Sequence, residues 1–343
     1  MSSSPNKLNS LQMARGIAAL LVVLHHTTSH LQIYAHYLPF KGVFNFGHAG
    51  VDFFFVLSGF IIFHVHGKDI GQPARLGRYL IQRFTRIFPI YWLIIGLYVA
   101  AIYWPFPFTW QAFLLDLALL PMAKLATLGV AWTMRFEILF YVLFALAIAS
   151  KRIGLTVLGV WLLCIVGRAV GWIPMLSPPW LDGVIAVWNF EFLFGIGAAY
   201  CVSRYRVAYP WLLLLLATVA FLLFGVFDNQ GGLMEVADIA KLPYGVFSML
   251  IILALVELER SGRFTPPAML VAIGEASYSI YLSHLLLISL VFNALYARGS
   301  IYYYPRATFV LMLMAALLGG VFLSLSLEMP IIRWVRQRIY ARS

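Results

Sequence analysis

The sequence predicts an all-α fold: a polytopic transmembrane helical bundle of about ten spans, with both termini cytoplasmic. Three observations predict it. Apolar residues make up 62% of the chain and charged residues only 11%, against about half and about a quarter in soluble domains. Hydrophobic stretches follow one another from end to end with short polar breaks, and a span needs roughly 20 apolar residues. Basic residues gather in alternate connections, the mark of cytoplasmic loops.

The spans are placed, in order, at residues 11–29, 51–65, 87–103, 129–149, 153–172, 184–202, 211–227, 236–258, 271–295 and 307–329. Residues 109–122 are apolar but short, and Pro105, Pro107 and Pro121 bracket them; this piece reads as interfacial or re-entrant. The first span carries Arg15, His25 and His26 and no small-residue cleavage site follows, so it is expected to stay rather than leave as a signal peptide. Met1 to Asn6 are polar and are expected to be disordered. Orientation follows from the 24 Lys and Arg. The N-terminus and every second connection hold sixteen of them, among them Arg75, Arg78, Arg83, Arg86, Lys151, Arg204, Arg260 and Arg333. The opposite set holds Lys41, Lys124, Lys241, Arg298 and Arg306. Both termini on one side require an even number of spans, which ten satisfies.

The net charge of +11 is accounted for by those cytoplasmic loops and gives no case for nucleic acid. Cys164 and Cys201 lie in apolar runs and read as small core residues, with no disulfide framework. No metal site and no internal repeat is evident. Aromatics such as Trp180 and Tyr302 to Tyr304 suit an interfacial belt.

Ionisable groups inside spans are costly, by a few kcal/mol at mid-bilayer, so each needs a reason. Arg15 and His26 are eleven residues apart, within about 20° of three full turns, so they share one helix face roughly 16 Å apart along the axis. From a cytoplasmic N-terminus, Arg15 lies near the inner surface and His26 near the outer one. Each also has a plain reading: a snorkelling arginine and a hydrogen-bonded core histidine. Asp52 opens the second span and is placed to orient a histidine; Ser58 and Gly59 lie deeper, where small residues favour close helix packing. Arg83 and Arg86 share a face and suit phosphate binding or the positive-inside rule. Glu137 falls about 12 Å in from the outer end of the fourth span, a carboxylate at a depth reachable from His26, or else a salt-bridge partner of Arg135 or of another span. Ser277 to His284 and Glu328 read mainly as structural.

Taken together, these residues resemble the acyltransferase-3 family of membrane acyltransferases. The resemblance rests on Arg15 with ten residues before His26, on Gly50-Val51-Asp52 with Ser58-Gly59-Phe60, and on Arg83-x-x-Arg86. It continues through Trp132, Glu137 and Phe140-Tyr141, Ser277-Tyr278-Ser279 with Tyr281 and His284, and Glu328-x-Pro330. It covers most of the chain. It implies residues 1–10 as a cytoplasmic tail, 11–330 as a transmembrane acyltransferase domain and 331–343 as a basic cytoplasmic tail. It also implies transfer of an acyl group, commonly acetyl, from cytoplasmic acyl-coenzyme A to a hydroxyl of a carbohydrate or glycolipid across the bilayer, in the cytoplasmic (inner) membrane of a bacterium. Acyl-coenzyme A is then a co-substrate, with no tightly bound cofactor. In such a scheme Arg15, Arg83 and Arg86 bind the donor, and His26 acts as base with Asp52 or Glu137 fixing its tautomer. Ser58 and Trp132 face substrate. His26, and after it Ser58, would carry the acyl group if a covalent intermediate forms. The neighbouring His25 leaves the motif histidine selected by spacing alone. A lipid-linked saccharide transporter and a non-catalytic subunit of a polysaccharide assembly complex remain open readings, as do the acceptor and the oligomeric state.

Overall fold

The computed structural model describes residues 8–102, 109–120, 127–177, 179–232 and 242–340. Every regular element among them is helical. The helices are α1 (Asn9–Ala35), α2 (Gly50–His66), α3 (Leu76–Ile102), α4 (Trp110–Leu117), α5 (Ala131–Ala149), α6 (Lys151–Ala169), α7 (Pro179–Val184) and α8 (Phe190–Arg204). They continue with α9 (Pro210–Phe227), α10 (Leu242–Arg260), α11 (Ala268–Glu275), α12 (Ser277–Tyr296), α13 (Ser300–Tyr303), α14 (Pro305–Leu323) and α15 (Met329–Tyr340).

Among the described residues, nine helices are long and apolar enough to cross a membrane. α1 has 27 residues, about 40 Å of helix. It is long enough as well, but Arg15, His25 and His26 make it too polar to join that set. The ten expected spans therefore all coincide with long helices. The expected disorder of Met1 to Asn6, the start of the eighth span at residue 236, Lys124, Lys241, Arg342 and the three bracketing prolines lie outside the described residues.

Several boundaries differ from expectation, two of them for clear physical reasons. The end of the basic connection before the third span is itself helical, so α3 starts at Leu76 and runs through Pro89; charge density lowers the hydropathy there and conceals the first turns of the helix. The ninth span does not begin at residue 271. α11 packs along α1, and α12 starts afresh at Ser277 after a break at Ala276. Alanine is apolar and helix-favouring, so hydropathy gives no sign of this break. At the other end, α14 passes through a π-helical turn, Ser324–Glu328, into α15. The stretch read as a tail is therefore helical to Tyr340, with Arg338 stacked 4.5 Å above the exposed Trp334 ring. Residues 110–117 of the short apolar piece form α4.

The chain packs as two compact units. The first contains residues Met1–Val65 and Glu191–Tyr278. Its core is built from helical stripes: Leu11, Ala14 and Ala18 on α1; Phe53, Val56, Leu57 and Phe60 on α2; Ala198, Ala199 and Val202 on α8; Ile252, Leu255 and Val256 on α10. These spacings of three and four place each set on one face. α2 and α8 meet backbone to backbone. A Cβ on Gly59 would lie 2.0 Å from the Phe192 carbonyl oxygen, and one on Gly195 would lie 2.0 Å from that of Val56. Small residues permit this approach. Gly195→Ala is expected to push the two helices apart and destabilise the protein by about 1–3 kcal/mol. A thermal midpoint in detergent equal to that of the unaltered protein would contradict this packing.

The second unit contains His66–Phe190 and Ser279–Ser343. Here α5 and α6 form a helical hairpin, with Ser150 capping α6 through the Ile153 amide. Large apolar side chains such as Leu163, Leu215, Leu223, Leu318 and Phe322 remain exposed on the long helices, and lipid is the solvent that accepts such surfaces.

Candidate active site

α1 is regular from Asn9 to Ala35, so Arg15 and His26 do share a face. The Arg15 guanidinium donates to Gln12 Oε1 at 3.1 Å. His25 turns another way: its Nδ1 lies 2.7 Å from the Asn45 carbonyl oxygen. A carbonyl only accepts, so this nitrogen carries the proton and Nε2 holds the lone pair of the neutral ring. The His25 and His26 rings meet edge to face with centroids 4.9 Å apart.

A third histidine completes a row. His48 sits on the 3-10 turn Asn45–Ala49, and its ring meets that of His25 edge to face at 5.6 Å. The turn is pressed on α1; a Cβ on Gly47 would lie 2.2 Å from the Leu21 carbonyl oxygen. His48 Nε2 donates to Asp228 Oδ2 at 2.8 Å. Tyr244 donates its hydroxyl to the same oxygen at 2.9 Å. Among the described residues of this unit, Asp228 thus makes a carboxylate–imidazole contact, across 180 residues of sequence.

Asp52 is buried near the start of α2. Its neighbour is Glu191, which is fully buried with no hydrogen-bond partner on either carboxylate oxygen among the described residues. A hydrogen bond between these two carboxyls forms only when one of them holds a proton. Ser58 lies half-buried on α2 beside Gly59.

In the second unit the two arginines of the basic helix part company. The Arg83 guanidinium lies 5.8 Å above the Tyr79 ring and 5.6 Å above that of Tyr141. Its Nε is buried with no hydrogen-bond partner among the described residues. His66 stands edge-on to the same Tyr79 ring at 5.1 Å and pairs through Nδ1 with Asp69 at 2.9 Å. Arg86 instead pairs with Glu328, whose other oxygen accepts from Ser279 at 2.7 Å and Ser324 at 3.1 Å. Glu137 accepts the Tyr141 hydroxyl, and Arg135 reaches Asp116 at 2.9 Å; residues two apart on a helix face different ways. Trp132 packs against Trp188 at 5.2 Å and Phe136 at 5.8 Å, forming an aromatic wall. Tyr281 bonds the Thr133 hydroxyl at 2.8 Å, as expected of an interhelical hydroxyl.

Among the residues of these clusters that the sequence pattern did not mark are His48, Asp228, Tyr244 and Asp116. His48 had a visible signal, a histidine two residues before Gly50-Val51-Asp52. Asp228 had a weaker one, an acidic residue directly after an apolar run.

The family described as an acyltransferase domain (Acyl_transf_3) matches residues 8–329. The chain is 32% identical over 311 residues, 86% of its length, to "Exopolysaccharide production protein ExoZ" of Rhizobium meliloti (strain 1021), covering 92% of that protein. It is 33% identical over 101 residues to "Protein 2 in picA locus" of Rhizobium radiobacter, 29% of this chain and 47% of that one. No solved structure matches. The family match spans every cluster described above, from Arg15 to Glu328, and the chain belongs to the acyltransferase-3 family: it is a multi-pass integral membrane acyltransferase.

Proposed function

We propose that the protein transfers an acyl group, in the simplest case acetyl, from cytoplasmic acyl-coenzyme A to a hydroxyl of a cell-surface or lipid-linked carbohydrate. The observation that carries the reading is the α1 face, with Arg15 toward one end and His26, beside two further histidines, toward the other. With both termini cytoplasmic, the histidine end opens to the acceptor side of the bacterial inner membrane. The similarity to an exopolysaccharide production protein supports a polysaccharide or its lipid-linked precursor as acceptor.

The chemistry needs no bound cofactor. The acceptor oxygen attacks the thioester carbonyl, the C–S bond breaks, and His26 takes the acceptor proton and returns it to the departing thiolate. On this reading Arg15 in the first unit and Arg83 in the second each supply positive charge for the donor, and Arg86 is tied to Glu328. Asp52 and Glu137 are the carboxylates, and Ser58 and Trp132 the substrate-binding residues, that the two units respectively contribute. This division of labour makes Arg83→Ala raise the KM for acetyl-coenzyme A by about tenfold or more, the worth of a hydrogen bond to a charged group. An equal change at Arg86→Lys, which keeps the charge, is not expected. Donor titration of the two variants checks both.

In cells, deleting the gene is expected to remove ester-linked acyl groups from the surface polysaccharide, seen by proton NMR. The intact gene should restore them and the His26→Ala form should not. An unchanged acyl pattern in the deletion strain overturns the proposal.

A further inference from the structure

His48 is oriented with a care that holding a loop in place does not require. Its Nε2–H is committed to Asp228, and Asp228 is itself fixed by the Tyr244 hydroxyl on the same oxygen. This leaves Nδ1 as the lone-pair nitrogen of the neutral ring. The ring is 35% exposed, whereas the Asp228 side chain is 12% exposed. The turn that carries His48 is held at several points. Asn229 donates to the Val43 carbonyl at 3.0 Å. Phe46 packs against Gly225, within 2.7 Å of where a Cβ would stand. The Asn45 carbonyl accepts a hydrogen bond from His25 Nδ1–H. Such support is what pre-organises a binding group.

We propose that His48, oriented by Asp228, is an acceptor-binding residue: its Nδ1 accepts a hydrogen bond from a carbohydrate hydroxyl near the one that is acylated. This rests on the reading of His26 as the base. Two ring contacts separate His48 from His26, the span of a mono- or disaccharide. A bare imidazole nitrogen calls for a donor, and a polyhydroxylic acceptor supplies several. On the topology proposed above, His48 lies on the acceptor side, away from the acyl-coenzyme A donor.

Two substitutions separate this role from a purely structural tie. His48→Gln places an amide near the former Nε2 and keeps the bond to Asp228, but has nothing at the Nδ1 position. His48→Asn places a polar group near Nδ1 and gives up Asp228. The assay uses protein in nanodiscs and labelled acetyl-coenzyme A. The acceptor is the host cell's exopolysaccharide, stripped of esters with alkali and cut to oligosaccharides. For His48→Gln the acceptor KM should rise about tenfold, the upper worth of one neutral hydrogen bond, with the donor KM unchanged. For His48→Asn the rise should be smaller, and this variant decides the matter if the Gln form does not fold. An acceptor KM for His48→Gln equal to that of the unaltered protein, or a donor KM rising in parallel, overturns the assignment while leaving acyl transfer intact. No transfer by the unaltered protein would remove the acyl-transfer reading and this inference together.

Discussion

His26→Ala is expected to lower the turnover of acyl transfer by about a hundred- to ten-thousand-fold, the usual contribution of a positioned general base. Expression and thermal midpoint should barely change, since His26 is only half-buried. The neighbouring residue provides the control. His25 is tied by Nδ1 to the Asn45 carbonyl, so His25→Ala should loosen the turn that carries His48 and cost less activity. Steady-state rates of the two variants, measured side by side, decide between adjacent imidazoles that spacing alone could rank but not separate. An active His26→Ala protein beside an inactive His25→Ala protein would move the base to His25.

The largest effect on stability is expected at a residue outside the histidine row. Asp116 is fully buried at the end of α4. Its carboxylate accepts from Arg135 at 2.9 Å and from the Thr127 amide at 2.6 Å, and its carbonyl accepts the Tyr91 hydroxyl at 2.9 Å. It thus ties α3, α4 and α5 within the second unit. Asp116→Ala removes the Arg135 counter-charge in a low-dielectric setting. Breaking one side of a buried pair typically costs about 3–5 kcal/mol. Asp116→Asn keeps the shape and should cost less. Thermal unfolding of both variants in detergent tests the ranking; equal midpoints for Asp116→Ala and the unaltered protein would show that the pair is dispensable.

Both results follow from features that differ in how far the sequence reveals them. The spans were legible because lipid leaves few options: a long apolar run must be a helix that satisfies its own backbone. The Arg15–His26 face was legible for the same reason, since a regular helix fixes the angle between two residues on it. Contacts that join distant parts of the chain were not legible. Asp228 meets His48 and Glu328 meets Arg86 only because packing brings their helices together, and no local period encodes that. Asp116 was hidden in a piece too short to be read as a span. The break at Ala276 was hidden by an apolar residue that could equally continue a helix. Arg83 and Arg86 illustrate the limit most clearly. One helix face suggested one shared role, yet the structure stacks the first on two tyrosines and binds the second to a buried glutamate.

The most direct test of the account is transfer of label from acetyl-coenzyme A to a pool of cell-surface glycans by purified protein in nanodiscs. Alkali-labile label is expected in carbohydrate with the unaltered protein and none with His26→Ala. Label that stays on the coenzyme in both samples, or that reaches carbohydrate equally well in both, would contradict it.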